Sequence, residues 1–387
     1  MHGVKRDRSK QTAELKAQRK EKEAKKLQIY LDIEKRFFTK RNENELNQDA
    51  LEITTELLSL NPELYSAWNF RRKILSHLFN THEDDEESQP PKDFFASLRV
   101  DAEKEGESSD TPPVTAKDPI SNRKRQLLQE DLELTIQALQ MHPKVYWIWN
   151  HRKWCLQELP SEDSDGLLKW KHEIGMVNKM LELDARNFHG WDYRRYIQSQ
   201  LALPVSLRKD YTGAPFPRSL LDSDLPIELR KFQEKLANDE LAYTLAKIES
   251  NFSNFSAWHQ RSLLLPAIWS SQNLNKQQLR SKRDDEFELI RQAIFVDPDD
   301  QSVWTYHDWL ISLDPSLDVL DREISSIREL LELEPDSRWC MQSLANYLTQ
   351  RSKDKDLQEA ETLLGRLIEI DADRKERYAD EKKTLKT

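Results

Sequence analysis

Apolar residues recur at three- and four-residue intervals in several short stretches of this chain: Leu51, Thr54, Leu57 and Leu58; Phe287, Ile290, Ala293 and Ile294; Leu320, Ile324, Ile327 and Leu331. That spacing lines one face of a helix and predicts amphipathic helices. Such stretches lead into lines of one pattern, which open at Asn61, His142, Asp184, Asn251 and Asp297. Seven positions on, each line carries a tryptophan: Trp68, Trp149, Trp191, Trp258 and Trp304. Where proline stands second in the line (Pro62, Pro143, Pro298), it drives the preceding residue out of the α region and ends the first helix. A second helix then begins and carries the tryptophan. The unit predicted is an antiparallel helix pair, and its stacked copies make an all-α superhelix, a tetratricopeptide-like solenoid with a concave face. A further line, Glu334 to Trp339, reads as a degenerate end copy that has lost two residues, and a helix from Leu357 to Ile370 closes the stack.

Two stretches interrupt the repeats. Residues 81–120 open on Glu83, Asp84, Asp85, Glu86 and Glu87, hold five prolines and few apolar residues, and are expected to be a disordered insertion. Residues 204–226 carry Phe216 between Pro215 and Pro217 and are expected to form an ordered loop. Residues 1–41 form a basic, helix-prone arm, with 14 Lys/Arg against 6 Asp/Glu in a chain that carries 59 against 69 overall. The domain reading is therefore an arm at 1–41 and a repeat domain at 42–387 with the two insertions.

Composition narrows the function classes. Seven scattered glycines leave no glycine-rich phosphate loop, and the acidic body argues against nucleic acid as the main partner. Cys155 and Cys340 make neither a zinc cage nor a disulfide framework, which is the usage of a cytoplasmic protein. No apolar run is long enough to cross a membrane. Recurrence makes the five tryptophans structural, since a catalytic group is needed only once. The arginine three residues after Trp68 and Trp258 (Arg71, Arg261) faces the same helix side, where it can stack on the ring as a cation–π pair while its fork reaches a carbonyl or carboxylate. Chemistry is better sought where the copies differ. Lys144 stands where Glu63, Arg186, Ser253 and Asp299 stand elsewhere, at a helix mouth suited to a phosphate. His189, two residues before Trp191, replaces Ser66, Trp147, Ser256 and Ser302. Neither a nucleophilic triad nor a set of metal ligands is legible.

The Pro-x-x-Tyr/Phe-x-x-Trp-x-x-Arg line resembles the α-subunit repeat of protein prenyltransferases from about Leu27 to Leu348, the insertions apart. It departs from that pattern at Ala185 and Phe252 for the proline, Gln301 for the aromatic and His307 for the arginine. The wording around Trp191, Trp258 and Trp304, with Met1-His2-Gly3, is most similar to the α subunits of Rab geranylgeranyltransferases. The α subunit shared by farnesyltransferase and geranylgeranyltransferase type I is the less similar relative, and a peptide-binding helical-repeat scaffold is the rival class.

The resemblance implies a heterodimer that moves geranylgeranyl from geranylgeranyl diphosphate to C-terminal cysteines of Rab GTPases presented by a Rab escort protein. Zinc and the lipid cavity would belong to the β subunit, with no cofactor in this chain. It further implies diphosphate-side roles for Lys144 and Tyr146, and substrate-binding roles for His189 and Asn187. His2, on the basic arm, is then a candidate gate for the partner's zinc.

Overall fold

The computed structural model describes residues 13–80, 119–160, 166–208 and 210–385. His2 and nearly all of the 81–120 insertion lie outside these residues. Every described regular element is a helix. After α1 (Ala13–Glu43), which runs through Arg41 and buries Phe37, come α2 (Gln48–Leu60) with α3 (Tyr65–Leu78) and α4 (Pro119–Met141) with α5 (Tyr146–Glu158). These belong to one compact unit, which extends to Glu162. A second unit, from Asp163, pairs α6 (Leu168–Leu183) with α7 (Phe188–Leu201) and, after the short α8 (Val205–Arg208), α9 (Ile227–Ser250) with α10 (Phe255–Ser271). Then come α11 (Lys276–Val296) with α12 (Gln301–Leu313), α13 (Leu317–Leu333) with α14 (Arg338–Arg351), and finally α15 (Asp354–Ile370) and α16 (Lys375–Thr384).

One four-residue turn joins the helices of every pair from α2/α3 to α13/α14. The tryptophan closes it. Its indole N–H donates to the carbonyl six residues earlier: Trp68 to Pro62 and Trp149 to Pro143 at 2.9 Å, Trp191 to Ala185 at 2.9 Å, Trp258 to Phe252 at 2.7 Å, Trp304 to Pro298 at 2.8 Å. Only a carbonyl is required there, so Ala185 and Phe252 replace the proline without altering the turn. The rings are fully buried, and the residue before each is small or buried (Ala67, Ile148, Gly190, Ala257, Val303). At Gly190 a Cβ would come within 3.0 Å of the Leu181 side chain.

In the second unit the last residue of the turn caps the following helix: Asn187, Asn254, Asp300 and Ser337 each accept a backbone N–H through the side chain. Leu64 and Val145 hold that place in α3 and α5 and make no such bond.

Three expectations change. The sixth line has lost nothing: its turn runs through residues 334–337, Ser337 caps α14, and the tryptophan position six residues after Pro335 is filled by fully buried Met341. Trp339 lies to one side, under the Arg374 guanidinium. Nor does the Leu357–Ile370 segment end the stack, because α16 follows it and buries Tyr378, whose hydroxyl donates to Asp371 at 2.9 Å. The arginines do not stack on their own tryptophans either. Arg71 and Arg261 reach carboxylates of the following pair, and Arg194 lies 3.6 Å over Tyr243 of α9.

The 204–226 loop is ordered over its described residues. Phe216 and Leu220 pack with Ala202, Ala237, Leu264 and Ile268, while Ser219 donates to Gln233, which in turn donates to the Ala202 carbonyl.

Trp191→Ala should cost about 3–5 kcal/mol, the penalty for emptying a large buried side chain. Trp191→Phe should cost about 1–3 kcal/mol, mainly because the Ala185 carbonyl loses its donor. Urea denaturation of the full chain separates the two; an unchanged midpoint for the alanine variant would remove the indole from the anchoring role.

Candidate functional site

Placed eighteen residues before the tryptophan position, a buried acid opens the architecture around the site: Asp131, Glu173, Glu240, Glu286 and, for the Met341 pair, Glu323. Each sits on the first helix of its pair, and four of them receive a hydrogen bond from the second helix, two residues after the tryptophan position. His151 bonds Asp131 at 2.7 Å, Tyr193 bonds Glu173 at 2.6 Å, Gln260 bonds Glu240 at 3.1 Å and Tyr306 bonds Glu286 at 2.8 Å. In three of these junctions the preceding pair contributes an arginine. Arg71 reaches Asp131 at 2.5–3.1 Å, Arg194 reaches Glu240 at 2.5–2.9 Å and Arg261 reaches Glu286 at 2.5–2.7 Å. In the fifth copy His307 does this work, bonding Glu323 at 3.1 Å.

The arginines also reach back to their own first helix. Arg71 donates to the Leu51 carbonyl and Thr54, Arg152 to the Leu132 carbonyl and Thr135, and Arg261 to the Leu241 carbonyl and Thr244. Residue-by-residue reading missed the acids. Their constant offset from the tryptophans was the available signal.

The first of these junctions carries the one group of three potential metal ligands among the described residues, Asp131, His151 and Cys155, with donor atoms within 4.8 Å of one another. The Asp131 and His151 acceptors are already engaged. Asp131 holds the Arg71 fork and His151 Nε2, while His151 Nδ1 accepts from Arg72 Nε at 3.3 Å. Burial by itself would raise the Asp131 carboxyl, but the Arg71 charge and the His151 bond outweigh it and hold the group at about 2. Burial pushes the Cys155 thiol well up and the His151 imidazole down, so the cluster holds a thiol and a neutral ring. These are the electrostatics of a packing junction.

Lys144 and Tyr146 lie together in the first unit, at the mouth of α5. Both are exposed, Lys144 in the turn and Tyr146 as the first residue of the helix. Because Val145 supplies no side-chain cap, the first N–H groups of α5 keep the positive potential that an Asn or Asp cap would take up. Tyr146 packs edge-on against Trp147, which leans on Tyr65 of the preceding pair. Asn187 and His189 lie together in the second unit. Asn187 is buried and caps α7 by accepting from the His189 and Gly190 backbone N–H groups, and the half-buried His189 ring lies 3.9 Å from that of Phe188. Among the described residues no helix is long and apolar enough to cross a membrane.

A further feature is common to both units. Helices α3, α5, α7 and α10 each begin with an aromatic left half exposed or more: Tyr65 (55%), Tyr146 (50%), Phe188 (66%) and Phe255 (50%). Leu183, Val296 and Leu333, at the ends of the first helices, are more than 70% exposed. The turn end of the pairs is thus apolar where a surface is usually polar.

Comparison with known proteins matches residues 47–78, 128–159, 170–201, 237–268 and 283–314 to the protein prenyltransferase alpha subunit repeat. The α13/α14 pair, outside that match, keeps the same turn and acid. The chain is 33% identical to the geranylgeranyl transferase type-2 subunit alpha of Schizosaccharomyces pombe, over 98% of this chain and 96% of that protein. It is 30% identical to the Candida albicans protein of the same name, over 98% and 97%. The human protein of that name is 31% identical over 80% of this chain, which spans 42% of that longer protein. A chain of the solved Candida albicans protein geranylgeranyltransferase-I complexed with GGPP shares the fold, with a TM-score of 0.57 at 17% identity over 92% of this chain and 91% of that one.

The Asp131 junction gives a pH-dependent prediction. A carboxyl depressed from 3.8 to about 2 contributes stability that is fully present above the ordinary value and is lost as pH falls through the folded one. Asp131→Asn should cost about 3–5 kcal/mol at neutral pH, by stranding Arg71. In urea denaturation, the stability gap between wild type and variant should narrow between about pH 4 and pH 2. A gap that stays constant through that range would deny the ion pair.

Proposed function

The chain belongs to the geranylgeranyl transferase type-2 subunit alpha family, and from that premise we propose that it is the α half of a cytoplasmic heterodimer that transfers geranylgeranyl from geranylgeranyl diphosphate to C-terminal cysteines of Rab GTPases. The observation that supports this best is the full-length similarity to relatives of that name, joined to a helix mouth with an exposed lysine and no side-chain cap. The exposed aromatics that open α3, α5, α7 and α10 favour an obligate partner, since such side chains dominate protein interfaces and are wasted on water. That partner is a prenyltransferase β subunit. The Rab would arrive bound to its escort protein.

In this reading Lys144 and the N-terminal dipole of α5 face the diphosphate. As the carbon–oxygen bond of the lipid lengthens, negative charge gathers on the departing diphosphate, and a preplaced ammonium stabilises that state more than the ground state. Tyr146 adds a hydroxyl donor to the same oxygens. His189, held by the capped start of α7, is assigned to the lipid or its leaving group, with Asn187 setting the backbone beneath it. Zinc belongs to the proposed β subunit, where it would activate the substrate thiol.

The test is single-turnover transfer by the heterodimer reconstituted with its β subunit. Lys144→Ala should slow the chemical step by about tenfold to a hundredfold, with a smaller change in lipid affinity. Tyr146→Phe should slow it by about fivefold, the equivalent of one neutral hydrogen bond. Wild-type rates in both variants would leave this chain an architectural role only.

A further inference from the structure

Arg71 and Arg72 stand side by side on α3 and point to different tasks. Arg71 closes the buried junction with Asp131 and so fixes the register between the first two described pairs. Arg72 is placed differently. Its half-buried guanidinium turns toward the outer edge of α5, where Nη2 donates to Asn150 Oδ1 at 2.5 Å and Nε to His151 Nδ1 at 3.3 Å, with the Trp154 ring 5.8 Å from Cζ. Asn150 passes the contact on, its Nδ2 donating to the Tyr146 hydroxyl at 3.4 Å, one helical turn away. Both acceptors of Arg72 are uncharged, so its positive charge is not cancelled by the groups it bonds.

Proton positions along the chain are determined by the donors. Because Arg72 Nε–H donates to His151 Nδ1, the ring carries its hydrogen on Nε2 and gives it to Asp131. The Asn150 amide is oriented likewise, with oxygen toward the guanidinium and nitrogen toward the phenol. One hydrogen-bonded path therefore runs from the buried acid to the exposed hydroxyl: Asp131, His151, Arg72, Asn150, Tyr146. An oxygen that accepts a hydrogen bond from a polarised donor has its own O–H strengthened as a donor.

We propose that Arg72, acting through Asn150, is a positioning residue for Tyr146: the pair holds the phenol at the mouth of α5 and makes its hydroxyl a stronger donor to a phosphate oxygen. The inference rests on the reading that Tyr146 faces the diphosphate. It adds a residue from the first repeat to a corner otherwise built by the second.

The experiment uses the reconstituted heterodimer with geranylgeranyl diphosphate and measures lipid affinity, single-turnover rate and thermal melting separately. Arg72→Gln and Asn150→Ala should each slow the turnover by about fivefold while changing affinity less. In a Tyr146→Phe background neither should slow it further, because the path then ends on nothing; a merely structural role would give losses that multiply. Arg72→Lys should not restore the rate, since a single ammonium cannot serve Asn150 and His151 in the fork geometry. Should Arg72→Gln fail to assemble, Asn150→Ala decides, because it keeps the guanidinium and its His151 bond. Turnover at the wild-type rate in the Asn150 and Arg72 variants, with Tyr146→Phe slow, would overturn the relay and leave the reading of Tyr146 standing. Full activity in Tyr146→Phe and Lys144→Ala would overturn both.

Discussion

A buried carboxylate on the first helix of a pair, held from one side by its own second helix and from the other by the arginine of the preceding pair, is the constraint on which this architecture depends. Apolar packing between helices tolerates sliding, because ridges and grooves repeat along each helix. A desolvated charge does not. An acid one residue out of register would leave itself and an arginine buried and unpaired, at a cost far above that of imperfect packing. Such junctions add little net stability over a well-packed apolar contact, but they discriminate strongly between registers.

The ends of the array follow the same logic. The α2/α3 pair, which no other tryptophan-bearing pair precedes among the described residues, has buried Ala50 where the others have an acid. The α13/α14 pair, the last to carry the four-residue turn, has buried Leu344 where the others have an arginine or histidine. His307 replaces the arginine only where Glu323 gains two further cations, with Arg322 at 2.8 Å and Arg291 at 3.2 Å, so the weaker fork is offset by more positive charge. The turn shows a similar tolerance. Because the tryptophan uses a carbonyl and an apolar pocket, proline can give way to alanine or phenylalanine, and in the last pair tryptophan gives way to methionine.

Chemistry, on this reading, occupies the parts the scaffold leaves unspent. The scaffold consumes the tryptophan, the residues two and three places after it, and the acid eighteen places before it. What remains variable is the turn and the outer edge of the second helix. The candidate residues Lys144, Tyr146 and His189 stand there, as do Asn150 and Arg72. Rigid pairs beneath such edge positions hold them where a loop of the same composition could not.

The repeating pair, its turn and the burial of the tryptophans were legible in the sequence, because each is set by contacts within about twenty residues and appears as a fixed offset. So was the singularity of Lys144, which needs only comparison between copies. The resemblance to prenyltransferase α subunits came from the same lines. The arginine's partner was a different matter: Arg71 meets Asp131 across an insertion, and no local periodicity distinguishes a carboxylate sixty residues away from a tryptophan three residues away. In the α13/α14 pair residue identity points to Trp339 and spacing to Met341, and only the packing shows which of the two is buried in the anchor position. The path from Asp131 to Tyr146 likewise depends on side-chain directions between two pairs. A sequence specifies which groups are available and how often they recur; which of them meet, and which protons they share, is decided when the pairs stack and water leaves the junctions between them.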